Sequence, residues 1–413
     1  MAKARKDNKG RVLLRGESQR SQDMRYVYTY TDPFGNRKYL YATDLMELRQ
    51  KEDKLKRDQL DGLDVYVAGK ATINFVFDRY ISMKYDLRKT TRSNYLYTYD
   101  HFVRNEFGKK LICDVKYSDV RYFYYHLLND LYVKPATVDN VHTVLHPTFQ
   151  LAVRDEIIRN NPSDGVMAEI KRKDGKNKTV RHALAREQQK AYLGFLKEHP
   201  IFNHWLPLFT VLFGTGCRIG EVTGLRWQDL DFEERSLNIN HALVYFMEEV
   251  NGKRKSRLGI SYPKTEAGIR IISMLDEIEA AFRTVYDEQK KTGFNKSIID
   301  GMDGFVFKNR FGNVMNHQSI NDAIKRIVSD YNAEEQVKAK KEHRKPIILP
   351  MFSCHYTRHM FCSRFCETET NIKVIQAVMG HKDISTTLDI YAEVTEARKR
   401  EAIDKLSENV DIF

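Results

Sequence analysis

The chain has 413 residues and carries 68 Lys and Arg against 56 Asp and Glu, a formal net charge of +12; this balance draws anionic partners, nucleic acid first. With 42% hydrophobic and 30% charged residues the composition excludes a disordered chain and leaves room for two to four compact units. No apolar run reaches the ~18 residues that span a bilayer, the opening MAKARKDNKGR lacks an apolar signal region, and five unevenly placed cysteines argue against a disulfide framework, so a cytoplasmic protein is expected.

Taken in chain order, RYVYTYTDPFGNRKYLY (Arg25 to Tyr41) reads as two alternating aromatic strands around a turn at Pro33, Gly35 and Asn36, with Arg11 to Leu14 as a third strand. Asp44 and Glu47 have capping-box spacing and open a charged helix that stops at Gly62. Residues 1–65 are therefore expected to be a small three-stranded sheet plus one helix, with Arg5, Lys6, Lys9, Arg11, Arg37 and Lys38 flanking the hairpin as candidate DNA contacts. Residues 70–165 carry apolar residues at spacings of three and four, as in Val138, Val141, Val144, Leu145, Phe149 and Val153, which predicts an all-helical bundle ending near Asn161-Pro162. Residues 168–184 read as a basic linker in which Lys171, Arg172, Lys173, Lys176 and Lys178 are either solvated or laid along phosphates. Residues 185–395 mix helices with strand pairs at Ser236 to Tyr245 and around a turn at Lys264 to Gly268, and a charged helix and tail, 396–413, follow.

Three segments of the largest unit carry candidate chemistry. GTGCRIGEVTGLRW places a turn before a helix with Arg218 and Glu221 on one face, a pattern that an i,i+3 salt bridge alone explains. FSCHYTRHMF puts Ser353 at a helix N-cap with His355 and Arg358 on the first turn, where phosphate is attracted. VIQAVMGHKDISTTLDIYAEV ends a helix at Gly380, presents His381, and reaches Tyr391 after a polar turn of Ser385, Thr386 and Thr387. A zinc site of His355, His359, Cys362 and Cys366 is the rival reading. Ligands climbing ~16 Å along one helix cannot reach one tetrahedral ion, so the cysteines read as core residues and His359 as a buried neighbour of Arg358.

Arg218, the His355/Arg358 pair, His381 and Tyr391, in this order, resemble the signature of the tyrosine recombinases, also called phage integrases. The basic N-terminus KDNKGRVLLRGESQR with its sheet and helix is similar to the arm-site domain of conjugative-transposon integrases. The resemblance implies three parts: an arm-site DNA-binding domain, a helical core-binding domain, and a mixed α+β catalytic domain that closes on DNA with it. It further implies Tyr391 as nucleophile, Lys264 in SYPKTEAGIRIISM as the acid for the leaving 5′ oxygen with Lys253 and Lys255 as competitors, and Arg218, Arg358, His355 and His381 around the phosphate. Glu221, with Asp229 as a second candidate, would either orient Arg218 or be an ordinary surface partner. The family's frequent histidine two residues after the nucleophile is replaced here by Glu393, which leaves local proton handling open.

The implied activity is cutting and rejoining the strands of a mobile element through a 3′-phosphotyrosyl bond and a Holliday junction, with no metal or other cofactor. The implied partners are double-stranded DNA (element ends, circular intermediate and target), further copies of the chain, four in a synaptic complex, and accessory excision or DNA-bending proteins. A non-catalytic DNA-binding regulator would not need Arg218, Arg358 and Tyr391 together, and a type IB topoisomerase would not need the arm-type N-terminus.

Overall fold

A computed structural model of the chain describes residues 5–31, 37–60, 69–174, 184–250, 253–263, 265–388 and 390, and the chain divides into two compact units between Thr179 and Val180. The turn at Pro33, Gly35 and Asn36, the stop at Gly62, Lys176, Lys178, Lys264, Tyr391 and the tail from Glu396 lie outside the described residues.

The first unit opens with an antiparallel sheet of β1 (Glu17–Gln19), β2 (Tyr26–Thr31) and β3 (Arg37–Ala42) in that order. The aromatic alternation pairs β2 with β3, Tyr28 facing Leu40. The third strand is Glu17–Gln19 rather than Arg11 to Leu14, and the reason is local. Asp7 Oδ1 accepts the backbone N–H groups of Lys9 (2.9 Å) and Arg11 (2.8 Å), so the chain turns through Gly10 at φ 78°. The Arg11 guanidinium is then drawn onto Asp7 (2.8 Å), Asp44 (3.3 Å) and the Tyr26 hydroxyl (2.7 Å). Buried Glu17 is matched by Arg49 at 2.9 Å. Helix α1 (Leu45–Leu60) packs Leu45 and Leu48 against Tyr26 and Ala42. Asp44 caps its start where the spacing places it, accepting the Met46 N–H (2.8 Å), while Glu47 reaches one residue further back, to the N–H and hydroxyl of Thr43.

The bundle that follows comprises α2 (Ile73–Ser82), α3 (Lys89–Phe102), α4 (Tyr117–Asn129), α5 (Pro135–Arg154) and α6 (Val166–Asp174). Its core joins Val76, Phe77, Tyr99 and Tyr124 to Val138, Val141, Val144, Leu145 and Phe149 of α5. Val153 falls off that stripe and Ala152 is buried in its stead, as the 3.6-residue period requires over five turns. Val166, Met167 and Ile170 of α6 are buried in the same core. The first residues of the expected linker are therefore the last helix of the bundle, with Lys171 paired to Asp139 at 2.9 Å.

The second unit is built around α8 (Leu206–Thr215), which is apolar on all sides and buries Leu208, Phe209, Val211, Leu212 and Phe213; a helix of that composition belongs at a centre. Around it lie α7 (Arg186–Glu198), α9 (Ile219–Gly224), α10 (Asp276–Thr292), α11 (His317–Lys341), α12 (Cys354–Thr368) and α13 (Ile372–Met379). The segment expected as one strand pair, Ser236 to Tyr245, is split. Strands β4 (Leu230–Asp231), β5 (Ser236–Ile239) and β8 (Arg270–Ser273) form one sheet, while β6 (Ala242–Val250) pairs with β7 (Lys253–Ser261) in another. Leu237 and Ile239 need a buried face, and β8 supplies their partners Ile272 and Arg270. Among the described residues no helix is long and apolar enough to cross a membrane.

Candidate active site

Three helix boundaries bring the site together. Helix α8 ends at Gly216 in the left-handed region (φ 61°), and a Cβ there would stand 2.3 Å from the Phe361 ring, so glycine alone fits. Arg218 follows at the N-cap position of α9, where Glu221 accepts its backbone N–H (2.9 Å) and its guanidinium (2.8 Å). Helix α12 starts after Ser353, although the Ser353 side chain makes no capping bond and the Cys354 N–H goes to Asn321 Oδ1 at 3.0 Å. Its first turn carries exposed His355 and, one turn on along the same face, Arg358, which is 4% exposed. Helix α13 ends at Gly380, again left-handed (φ 61°), and delivers His381, which is buried.

Arg218, His355, Arg358 and His381 line one cavity of about 260 Å³, with His359, Met379, Lys382, Asp383, Thr386 and Ile390 completing its wall. The C-terminal carbonyls of α13 meet a guanidinium each. Val378 O accepts from Arg270 Nε (2.8 Å), Met379 O from Arg358 Nη2, and Gly380 O from Arg218 Nη2 (3.4 Å). Helix ends leave such carbonyls without intrahelical partners and carry partial negative charge, so cations settle there. Arg358 also donates to Gly216 O at 2.9 Å, tying the two left-handed turns together.

The electrostatics follow from burial. Desolvation, then the charges of Arg218 and Arg270, push Arg358 down to about 10; it stays cationic at neutral pH. Burial, then Arg358 and Arg218, push His381 down to about 4, so its ring is neutral. Its Nδ1 lies 2.9 Å from the buried Thr387 hydroxyl, and when that hydroxyl donates to Nδ1 the proton of the ring is left on Nε2. Burial alone would raise Glu221, but hydrogen bonding to Arg270 and the charges of Arg270 and Arg218 hold it at about 2.

Several expectations change. Residues 384–388, read as a polar turn, are helical, with Asp383 accepting the Ser385 N–H at 3.0 Å as a cap. Asp229 pairs with Arg226 (3.2 Å), so of the two carboxylates only Glu221 touches Arg218. His359 is half-buried and meets the His355 ring edge-on at 4.8 Å. Cys362 and Cys366 pack with Ile375, Met379 and Ile390, which turns them from the cavity towards α13. Of the proposed DNA contacts, Arg5, Lys6, Lys9, Arg37 and Arg172 are exposed and Lys38 is half-buried, while Arg11 is engaged internally. Lys173 belongs to α6.

Arg270 went unnoticed in the sequence, although it is 8% exposed and salt-bridged to Glu221 at 2.8 Å. RIIS can be read in either phase of a strand, and the apolar preference puts Ile271 inwards; in the fold Ile271 is 72% exposed.

The profile of the Phage integrase family matches residues 165–398, more than half of the chain, and that of the DNA binding domain of tn916 integrase matches residues 1–59. The transposase from transposon Tn1545 of Streptococcus agalactiae and that from transposon Tn916 of Enterococcus faecalis are each 32% identical over 410 residues, 96% of this chain and 95% of theirs. A solved structure of the Tn1549 transposon integrase in complex with transposon right end DNA is similar with a TM-score of 0.67 at 26% identity, covering 82% of this chain and 100% of that one. A second, with a circular intermediate DNA, gives 0.66 at 26% identity over 80% and 99%. The chain therefore belongs to the phage integrase family, the tyrosine recombinases, in its conjugative-transposon branch, and its activity is site-specific DNA recombination.

Proposed function

We propose that the cavity holds one DNA phosphate while Tyr391 attacks it. The observation behind this reading is the convergence of Arg218, His355, Arg358 and His381, from three distant segments, on a cavity that Ile390 also lines; Tyr391 follows Ile390 directly. In-line attack spreads negative charge over the nonbridging oxygens, and preorganised guanidiniums meet it without reorganisation. A guanidinium has five N–H donors, and Arg358 gives its carbonyl bonds from two terminal nitrogens, which leaves donors for phosphate. Neutral His381 and exposed His355 donate as well.

The Tyr391 oxygen bonds to phosphorus as the bond to the 5′ oxygen breaks, and Lys264, or Lys253 or Lys255 in its place, hands that oxygen its proton. A phenol of pKa ~10 needs the nearby cations to favour its phenolate. The 3′-phosphotyrosyl bond conserves the energy of the cut, and a 5′ hydroxyl from another duplex reverses it. Two such exchanges pass through a Holliday junction, and neither calls for a metal or a nucleotide.

The solved relatives hold transposon right end DNA and circular intermediate DNA. For this chain we infer the same class of substrate: the two ends of the element, their joined circular form, and target DNA. In this reading residues 1–65 bind arm sites, 70–174 hold the core site with Lys171, Arg172 and Lys173 on α6 beside the DNA backbone, 175–184 link along phosphates through Lys176 and Lys178, 185–395 catalyse, and 396–413 dock on a neighbouring copy within a tetramer. Accessory proteins that bend DNA or direct excision complete the assembly in the cytoplasm.

The test is a nicked duplex taken from the boundary of the element that encodes the chain. A denaturation-resistant adduct should form, equally in EDTA, and peptide mapping should place the DNA on Tyr391. A link to another of the 23 tyrosines would overturn the nucleophile, and an adduct that appears only with added magnesium would overturn the metal-free chemistry.

A further inference from the structure

An arginine in a protein interior is costly unless every donor is matched, and Arg270 is matched throughout. Nε donates to Val378 O (2.8 Å), Nη2 to Glu221 Oε2 (2.8 Å) and Cys217 Sγ (3.6 Å), and Nη1 to Glu221 Oε1 (3.3 Å) and Gly268 O (3.4 Å). Its side chain is only 5% exposed, so it meets neither DNA nor solvent. The two Glu221 oxygens that it holds are the same two that accept the backbone N–H and the guanidinium of Arg218. We propose that Arg270 is a positioning residue for strand cleavage: by gripping Glu221 and the Val378 carbonyl at once, it fixes Arg218 and His381 relative to each other and frees the charge of Arg218 for phosphate.

Charge arithmetic carries the second half of the proposal, which rests on the reading of Arg218 as a phosphate ligand. A lone Glu221–Arg218 pair is neutral, and the carboxylate would compete with DNA for the guanidinium. With Arg270 the trio carries one net positive charge, Glu221 is neutralised from below, and Arg218, whose side chain is 45% exposed, faces the cavity as a cation. Carboxylate–guanidinium attraction strengthens as the surroundings dry out, so the competition would be sharpest once DNA closed the cavity.

Geometry carries the first half. Arg270 sits on β8, Glu221 on α9 and Val378 on α13, so one side chain links the strand, the first catalytic helix and the helix that delivers His381. Gly380 completes the fit: a Cβ there would stand 3.0 Å from Arg270 Nη1 and 3.1 Å from Ala267 O.

The experiment is a double-mutant cycle on the full-length protein, read as single-turnover cleavage of the nicked element-end duplex, with DNA affinity and thermal melting measured beside it. R270M should lower cleavage by about 10²-fold, the usual loss for one misplaced donor, with DNA affinity kept within about threefold, well under one such contact. R270M/E221Q, which removes the competing carboxylate, should recover about tenfold of that loss, a coupling that independent sites do not show. A structural role alone predicts no recovery, because the double variant would be at least as badly packed.

Cleavage by R270M within about threefold of the parent, or a double variant no faster than R270M, overturns the proposal. If R270M does not fold, R270K carries the test, since it keeps the buried charge but loses the fork. Cleavage down at least about tenfold with DNA affinity retained supports the role, and near-parental cleavage overturns it. R218K run in parallel separates the two layers: if R218K cleaves normally, the reading of the site falls, and if R218K fails while R270M cleaves normally, only the positioning role falls.

Discussion

Tyr391 and Arg218 should fail in different ways. Tyr391→Phe removes one oxygen, so DNA binding and assembly persist while the covalent adduct vanishes on a denaturing gel. Arg218→Lys keeps the charge and loses the planar fork, so cleavage should fall by about 10² to 10³ with binding retained. His381 makes a pH prediction of its own. Burial first, then Arg358 and Arg218, hold its folded value at about 4 against an ordinary 6.5. The unfolded chain therefore takes up a proton that the folded chain refuses, so stability contributed here is intact above pH 6.5 and is lost as pH falls towards 4. Melting curves between those limits should show a smaller acid loss for His381→Gln than for the parent; equal losses would refute it. Arg218, His355, Arg358 and His381 were legible in the sequence because each stands beside a helix boundary marked by glycine, serine or an i+3 acid. Arg270 and Thr387 were not, because a buried arginine in a strand and a buried threonine in a polar run look like surface residues until their partners arrive from 49 and 6 positions away.

At the scale of elements, the turn after α13 is the one whose sequence is most constrained. Gly380 combines a left-handed φ of 61° with a close approach to Arg270 Nη1 at 3.0 Å. Gly380→Ala should cost about 1–2 kcal/mol of stability from the backbone alone, seen in chemical unfolding, and should lower cleavage further than that loss explains. Gly312→Ala is the control, since its φ is 78° but its Cβ would meet nothing nearer than 3.8 Å; it should lose stability and keep its cleavage rate. Elements whose periodicity is local were readable: the β2 and β3 pair, α1, and α5. Those set by distant partners were not. Strand β5 pairs with β8, some thirty residues on, and not with its neighbour β6, although β6 also buries Leu243 and Phe246. Helix α6 was mistaken for linker because its apolar residues, Val166, Met167 and Ile170, precede or interrupt a basic run that dominates the composition.

For the whole molecule, the charge surplus should act in separable parts. Residues 1–65 have a core of their own around Tyr26, Ala42, Leu45 and Leu48, and this fragment should bind element-end DNA with an affinity that falls as salt rises. Because Arg11 is engaged with Asp7 and Tyr26, Arg11→Gln should unfold the fragment rather than reduce its salt slope, whereas Arg37→Gln should reduce the slope and spare the fold. A fragment with no salt-dependent affinity would remove the arm-site role. The long return from β5 to β8 has a consequence in time. Ile239 pairs with Arg270 across the whole β6 and β7 excursion, and closing so long a loop is slow compared with forming a helix. Arg218 emerges from synthesis together with Glu221 but well before Arg270, Arg358 and His381, so until that closure Glu221 has no second arginine to share it and Arg218 stays paired. In the reading proposed above, a growing or half-folded chain holds its first arginine locked to Glu221 and should leave the genome that encodes it uncut until β8, α12 and α13 have been made and packed.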